Sequence, residues 1–336
     1  MEGSAFGVFV TKERKGKGMK LLVTGGAGFI GSNFIQYILE KHPDYEVVNL
    51  DALTYAGNLD NLKEVRSNTR HKFVQGRIED GKLVDKLMEG IDVVINFAAE
   101  SHVDRSILEP QLFISTNILG TQVLLDAALR HNAKLFYQIS TDEVYGALRL
   151  GTKKRFSEAS PLRPNSPYSA SKTSADLLVQ AYHHTYGLPV VISRCSNNYG
   201  PKQHPEKFIP TVILNALFNR PVPIYGDGLY VRDWIHVIDH CRAIDFIMHH
   251  GKINEVYNIG ADNEWANIDL ARKILQILGK PESLLTSVKD RPGHDRRYAI
   301  DSDKLRRELG WVPSIPFDQG LAETVNCYCD AGQQAP

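Results

Sequence analysis

Residues 20–31 read KLLVTGGAGFIG. The apolar run Lys20–Thr24 stops at a glycine, and apolar residues at helical spacing resume over Ser32–Lys41. Gly25, Gly28 and Gly31 therefore sit at a turn between a first strand and a first helix. Glycine lets such a turn close tightly and lets its backbone approach a pyrophosphate, which meets free N–H groups and the positive end of the helix dipole. A glycine-rich turn alone could be a bend without a ligand. Here a second strand, VVNLD, ends in Asp51 about 20 residues further on, at the spacing a dinucleotide fold needs. That acid can accept hydrogen bonds from the adenosine ribose and would repel a 2′-phosphate, so the unit predicts NAD rather than NADP.

Outward from this turn, apolar strands alternate with amphipathic helices. Strands are expected at Lys20–Thr24, Val47–Leu50, Lys72–Gln75, Asp92–Ala98, Lys134–Ile139 and Pro189–Ser193, and helices at Ser32–Lys41, Leu112–His131 and Ser169–Tyr186. Short, nearly all-apolar strands between helices imply a parallel sheet covered on both faces. The fold class is α/β, a doubly wound parallel (Rossmann) sheet with a smaller C-terminal α/β lobe. Residues 19–201 form the dinucleotide-binding domain and 202–336 mainly the lobe, with segments near 225–260 returning to the sheet. Val256–Ile259 is the strand expected to return; Asn267–Leu278 and Ser302–Leu309 are short helices.

Composition narrows the classes. Lys plus Arg and Asp plus Glu each number 39, giving no net charge, which argues against a general nucleic-acid or anionic-membrane binder. No uninterrupted apolar run reaches the ~20 residues of a bilayer span. Residues 1–18 lack the order of a signal peptide and read as a disordered extension or leader. Four scattered cysteines, Cys195, Cys241, Cys327 and Cys329, read as reduced thiols of a cytoplasmic protein. Twelve histidines form no His-Glu-x-x-His, and Cys327 and Cys329 project to different sides of a helix, so no metal site is expected.

Two motifs carry chemistry. NSPYSASK, 165–172, places Tyr168 and Lys172 one helical turn apart on a shared face. A nearby ammonium would favour the phenolate of a tyrosine that otherwise titrates near ~10. QISTDEVYGA, 138–147, sets Ser140, Thr141, Asp142 and Glu143 just past a buried strand. Paired acids there either begin a helix facing water or serve as acid and base over a ligand.

Together with NFAAESHVDRS (96–106), RCSNNYGP (194–201), PEKFIP (205–210), YGDGLYVRDWIHVIDH (225–240) and RPGHDRRYAID (291–301), these motifs resemble the extended short-chain dehydrogenase/reductase family. Within it the chain is similar to the nucleoside-diphosphate-glucose 4,6-dehydratases of the dTDP-glucose type, from about Met19 to Tyr328. The resemblance implies that Gly25, Gly28, Phe29, Ile30, Gly31, Asp51, Ala98, Tyr168 and Lys172 hold NAD. It implies a sugar nucleotide contacted by Glu100, Ser101, His102, Thr141, Asn198, Lys207, Arg232, Asn267, Arg297 and Tyr298, with Arg232 and Arg297 suited to the diphosphate. Tyr168 would take the C4 hydroxyl proton, Glu143 the C5 proton, and Asp142 would protonate the leaving C6 hydroxyl, with Thr141 and Lys172 completing the catalytic set. A homodimer paired through helices 112–131 and 169–186 is also implied.

Other readings stay open at this level: a UDP-glucose 4,6-dehydratase, a UDP-sugar 4-epimerase, or a silent NAD-binding sensor or scaffold. The Asp142–Glu143 pair favours water loss over epimerisation, and the intact Tyr168–Lys172 pair favours an enzyme over a sensor. Two positions depart from the family pattern. Arg77 stands where an acid near the adenine is usual, and Lys202 where an aromatic is commoner.

Overall fold

The structure, a computed structural model, describes residues 18–333, so the extension expected over residues 1–18 lies, but for Gly18, outside the described residues. The first six strands are β1 (Lys20–Thr24), β2 (Glu46–Asp51), β3 (His71–Gln75), β4 (Val93–Asn96), β5 (Leu135–Thr141) and β6 (Val190–Cys195). The lobe adds β7 (Asn197–Tyr199), β8 (Val222–Tyr225) and β9 (Val231–His236). β10 (Glu255–Ile259) then returns to the main sheet, and β11 (Glu264–Ala266) and β12 (Leu285–Val288) follow. The seven-stranded sheet has the order β10-β6-β5-β4-β1-β2-β3, and each neighbouring pair is parallel.

Alternation along the strands explains why both faces are covered. Leu21, Val23, Val93, Ile95 and Tyr137 pack on one face, with Phe34, Ile35 and Ile38 of the helix Phe29–Lys41 and Ile244 and Ile247 of Val237–His250. Leu22, Val48, Val94, Phe136 and Ile192 pack on the other, with Leu124, Leu125 and Val179. The order in which strands are added reverses between β1 and β4, and such a switch point opens a ligand crevice at the strands' carboxyl ends. A second core joins Ile209, Val212 and Ile213 to Leu270, Ile274 and Leu275, and holds the lobe together.

Three departures from the expected elements matter for the site. β4 ends at Asn96, because Phe97 and Ala98 leave the sheet to bond Thr24, through its carbonyl and its hydroxyl respectively. β5 runs two residues beyond Ile139, since Ser140 and Thr141 still pair with Arg194 and Cys195 despite their polar side chains. The expected helix over 112–131 runs Pro110–Arg130 and contains a wider turn at Ile114–Gly120. By length and composition alone that helix could cross a membrane, with mean hydropathy 1.4, although it is not an uninterrupted apolar run. In this fold it is a core helix: its buried Asn117 accepts from Glu100 N at 2.9 Å and donates to Ser171 Oγ at 2.8 Å.

Lys202 also gains a physical account. Its Nζ donates to the Asn61 carbonyl at 2.8 Å, Gln36 Oε1 at 3.2 Å and Glu64 Oε2 at 3.2 Å. The lysine thus ties the segment after β7 to the first helix and the loop beyond β2, a task no aromatic ring could perform.

Candidate active site

One large cleft crosses the carboxyl ends of β1, β2, β4, β5 and β6, and the glycine turn forms one end of it. Gly25 has φ of 70°, and a Cβ there would lie 2.7 Å from Ala98 N. At Gly31 a Cβ would meet the Gly25 carbonyl at 2.4 Å, so the helix can approach the strand only if both residues lack side chains. The helix Phe29–Lys41 begins at Gly28, which leaves its first N–H groups pointing into the cleft. Asp51 accepts from Ala27 N and Leu53 N, each at 2.8 Å, one bond to each carboxylate oxygen. Each oxygen keeps a further lone pair for a ribose hydroxyl. Phe29, Ile30 and Ala98 line the same cleft, and Arg77 stands at its far wall, 3.6 Å from Glu79. The cradle fits a dinucleotide.

At the middle of the cleft β5 delivers the paired acids. Thr141 Oγ1 caps the turn by accepting from Glu143 N at 3.3 Å, and Gly146, at φ 83°, ends it. Below the turn Tyr145 donates to Asn258 Oδ1 at 2.8 Å and accepts from Arg194, whose Nε is held 2.9 Å from the buried Asp176. The two acids differ in surroundings. Asp142 is buried, and burial first, then the charges of Glu143 and Asp233, hold its carboxyl well above the usual range. Glu143 is half-buried, and burial raises it too, but Arg232, Arg291 and Lys207 act in the opposite sense. Neutral Asp142 can donate a proton, while Glu143, facing three cations, is the one suited to accept.

Tyr168 and Lys172 lie on the helix Pro167–Tyr186, fixed at its start by a reciprocal Ser166–Ser169 cap. The expected stabilisation of the phenolate by lysine does not prevail. Burial, followed by the charge of Glu143, pushes the Tyr168 phenol well above its ordinary value, while Lys172 Nζ donates to the Ile139 carbonyl at 2.7 Å. Among protein groups, Thr141 acts in the lowering direction on Tyr168. The same hydroxyl lies 3.4 Å from Asp142 Oδ1, so Thr141 stands between the phenol and the acid.

On the substrate side, Glu100, Ser101, Asn198 and Lys207 line the cleft with the acids and the tyrosine. Lys207 Nζ donates to the Ser101 carbonyl at 3.1 Å, and Asn198 Oδ1 accepts from His240 Nδ1 at 2.8 Å. His102 caps the helix Val103–Leu108 and faces Glu206 at 3.7 Å. Arg232 lies over the Tyr298 ring, 4.3 Å from its centroid, and donates to the Asp295 carbonyl at 3.0 Å. Asn267 opens the helix Asn267–Leu278 on the lobe. Arg297 forks the Glu264 carboxylate at 2.6 and 2.9 Å and donates to the Lys154 carbonyl at 2.8 Å. A phosphate would have to compete with that carboxylate.

Several cleft residues escape a reading of the sequence. Cys195 lines the wall near Asp142 with its thiol pushed up to about 12 by burial, and Gln203, His204 and Asn197 line the same cleft. Glu206 pairs loosely with His102, His204 and Lys207 at 3.7–3.9 Å. Only the motif PEKFIP pointed toward it. The triplet His42, Asp245 and His249, whose ligand atoms lie within 4.8 Å of one another, occurs away from the cleft between two packed helices. There Asp245 accepts from the Tyr37 hydroxyl at 3.1 Å, and its carboxyl is held well below the usual range by the two imidazoles.

Comparison with known proteins agrees with this geometry. A family model described as GDP-mannose 4,6 dehydratase matches residues 22–324. A dTDP-glucose 4,6-dehydratase of Xanthomonas campestris pv. campestris is 52% identical over 327 residues, covering 91% of this chain and 92% of the relative. Among solved structures, a dTDP-glucose 4,6-dehydratase from Streptomyces venezuelae with NAD bound superposes with TM-score 0.90 at 48% identity, over 93% of this chain and 97% of that one. A UDP-glucose 4-epimerase from Thermotoga maritima reaches TM-score 0.86 at 31% identity, over 93% and 99% of the two chains. The chain belongs to the GDP-mannose 4,6 dehydratase family.

Proposed function

We propose that this protein is an NAD-dependent dTDP-glucose 4,6-dehydratase, which converts dTDP-glucose to dTDP-4-keto-6-deoxyglucose and water. One observation carries the reading. The turn after β5 presents two acids whose surroundings separate their proton affinities, beside the tyrosine of a dinucleotide cleft. An epimerase needs a tyrosine and a cofactor but no acid–base pair for water loss, and relatives at about half identity are dehydratases.

NAD, held by Gly25, Gly28, Gly31 and Asp51 with Tyr168 and Lys172 beside it, would supply a reversible hydride acceptor. The chain does the rest. Tyr168, as the phenolate that the positive charge of a bound nicotinamide would favour, takes the C4 hydroxyl proton, with Lys172 one helical turn away and the Thr141 hydroxyl supporting its oxygen. Glu143 removes the C5 proton once C4 is a ketone. Asp142 gives its proton to the C6 hydroxyl, which leaves as water. Glu143 then returns a proton to C5. Thr141, between Tyr168 and Asp142, offers a route by which the proton gained at the phenol recharges the acid. Arg232, whose charge opposes the burial that raises Glu143, is the candidate for the diphosphate.

Incubation with dTDP-glucose and with UDP-glucose, followed by mass spectrometry, tests the reading. Loss of one water from dTDP-glucose is expected, and an unchanged mass with both nucleotides would sink it. The same reading includes a homodimer. Leu108, Ile114, Leu119, Leu177 and Tyr186 stand between 50 and 80% exposed on neighbouring helices, an apolar area that a second copy would cover. Sedimentation of the wild type as a dimer, and of Leu177→Asp as a monomer, tests this. The four free thiols suit the cytoplasm.

A further inference from the structure

Away from the cleft, the helix Phe29–Lys41 packs against Val237–His250, and three metal-ligating side chains converge where they meet. Asp245 and His249 lie one turn apart on the second helix, the spacing at which two ligands share a helix face. His42 comes from the residue that ends the first helix, 203 positions away from Asp245 in sequence. Asp245 Oδ1 is the focus, since His42 Nε2 and His249 Nδ1 each lie 3.0 Å from it. One ligand atom from each of the three residues lies within 4.8 Å of the others. Donors about 2.1 Å from a tetrahedral zinc stand roughly 3.4 Å apart, so small side-chain shifts seat an ion among these three.

The surrounding contacts are of the kind that hold ligands in place. Tyr37 donates to Asp245 Oδ2 at 3.1 Å, which leaves Oδ1 to an ion. The Tyr45 hydroxyl lies 2.7 Å from His249 Nε2, so that nitrogen can carry the ring proton while Nδ1 offers its lone pair. His249 Nδ1 also lies 2.8 Å from the Asp245 carbonyl. A carbonyl inside a helix already serves the backbone ladder, so turning Nδ1 toward an ion strands no acceptor. The His42 ring stacks on Tyr45 with centroids 4.4 Å apart, and Arg70 fixes this loop by donating to the carbonyls of Leu39, His42 and Tyr45. The side chains of His42, Asp245 and His249 are 22, 10 and 17% exposed, sheltered yet reachable from solvent.

We propose that His42, Asp245 and His249 form a binding site for a divalent transition metal of the zinc type, with water as its fourth ligand. Two imidazoles and a carboxylate suit Zn²⁺, Ni²⁺ or Cu²⁺ rather than Mg²⁺ or Ca²⁺, which take oxygen ligands. The role is structural. The site lies at the opposite end of the first helix from the glycine turn, ~20 Å away for a helix of this length at 1.5 Å per residue. An ion there clamps the end of that helix to its neighbour on the same face of the sheet, whether or not the dehydratase reading holds. Ligand spacing in the sequence gave no sign of it, because the third ligand arrives only through the packing of the two helices.

Equilibrium dialysis of the full-length protein against Zn²⁺ alone needs no substrate and should show one saturable ion per chain. His42→Gln and Asp245→Asn should each weaken binding by more than about 100-fold, and Tyr37→Phe, which loses only a supporting hydrogen bond, by roughly 10- to 100-fold. His184→Gln removes an exposed histidine elsewhere and should bind as wild type does. Zn²⁺ should raise the melting temperature of wild type and His184→Gln but not of His42→Gln. Co²⁺ in place of Zn²⁺ should give the visible bands of a four-coordinate ion without the thiolate charge-transfer band that binding at Cys327 or Cys329 would bring. Should Asp245→Asn fail to fold, His42→Gln and Tyr37→Phe carry the test. Absence of saturable binding, wild-type affinity in His42→Gln, or a thiolate band on the bound Co²⁺ would overturn the proposal.

Discussion

Gly31→Ala should empty the cofactor cradle without unfolding the protein. The added methyl would sit 2.4 Å from the Gly25 carbonyl and 2.8 Å from Gly26 Cα. Both are backbone atoms of the turn itself, so no side chain can swing aside to relieve them. Overpacking of this kind costs roughly 1–3 kcal/mol. If the strain is relieved by moving the turn away from the helix start, it appears as about 5- to 150-fold weaker NAD binding, at 1.4 kcal/mol per tenfold. Isothermal titration of NAD into the cofactor-stripped protein reads this directly. Gly81→Ala is the control, since a Cβ there meets only Val123 Cγ1 at 3.9 Å, an ordinary contact. Wild-type affinity in Gly31→Ala, or equal loss in both variants, would refute the assignment of this turn to the pyrophosphate.

Three further outcomes follow from the same structure. Glu143→Gln should stop exchange of the C5 proton with solvent while NAD stays bound, and exchange at the wild-type rate would assign the base elsewhere. Asp176→Ala leaves Arg194 buried and unpaired, having lost a 2.9 Å ion pair, and should cost about 3–5 kcal/mol by chemical denaturation. A loss under 1 kcal/mol would show that the Tyr145–Asn258 bonds suffice to hold the turn. His240, held by burial at about 3, binds a proton near 6.5 only in the unfolded chain. Its contribution is therefore present above that pH and lost as pH falls toward the folded value. Melting temperature should drop less steeply between pH 6.5 and 4 in His240→Gln than in wild type, and parallel slopes would contradict the buried neutral imidazole.

The parts legible in the sequence are those encoded by neighbours along the chain. KLLVTGGAGFIG carries its strand, turn and helix within twelve residues, and Tyr168 and Lys172 are one helical turn apart. Asp142 and Glu143 are adjacent, so their presence could be read, but their division of labour could not. It depends on Asp233, Arg232, Arg291 and Lys207, brought from distant segments by the lobe. Cys195, Asn198 and His240 meet through side-chain contacts that no spacing announces. The end of β5 was misplaced because Ser140 and Thr141 look like a turn, while their backbones still pair with Arg194 and Cys195. Arg297 illustrates the converse. A guanidinium in a suitable motif reads as a phosphate ligand, and its fork on Glu264 becomes visible only in three dimensions.

The central claim is that one hydrogen travels within the sugar while water leaves it. dTDP-glucose carrying deuterium at C4 tests that claim most directly, by mass and by the position of the label in the product. The account predicts a product lighter by one water with the deuterium at C6. A product of unchanged mass with the label still at C4 would mean epimerisation, and the roles given to Asp142 and Glu143 would be wrong.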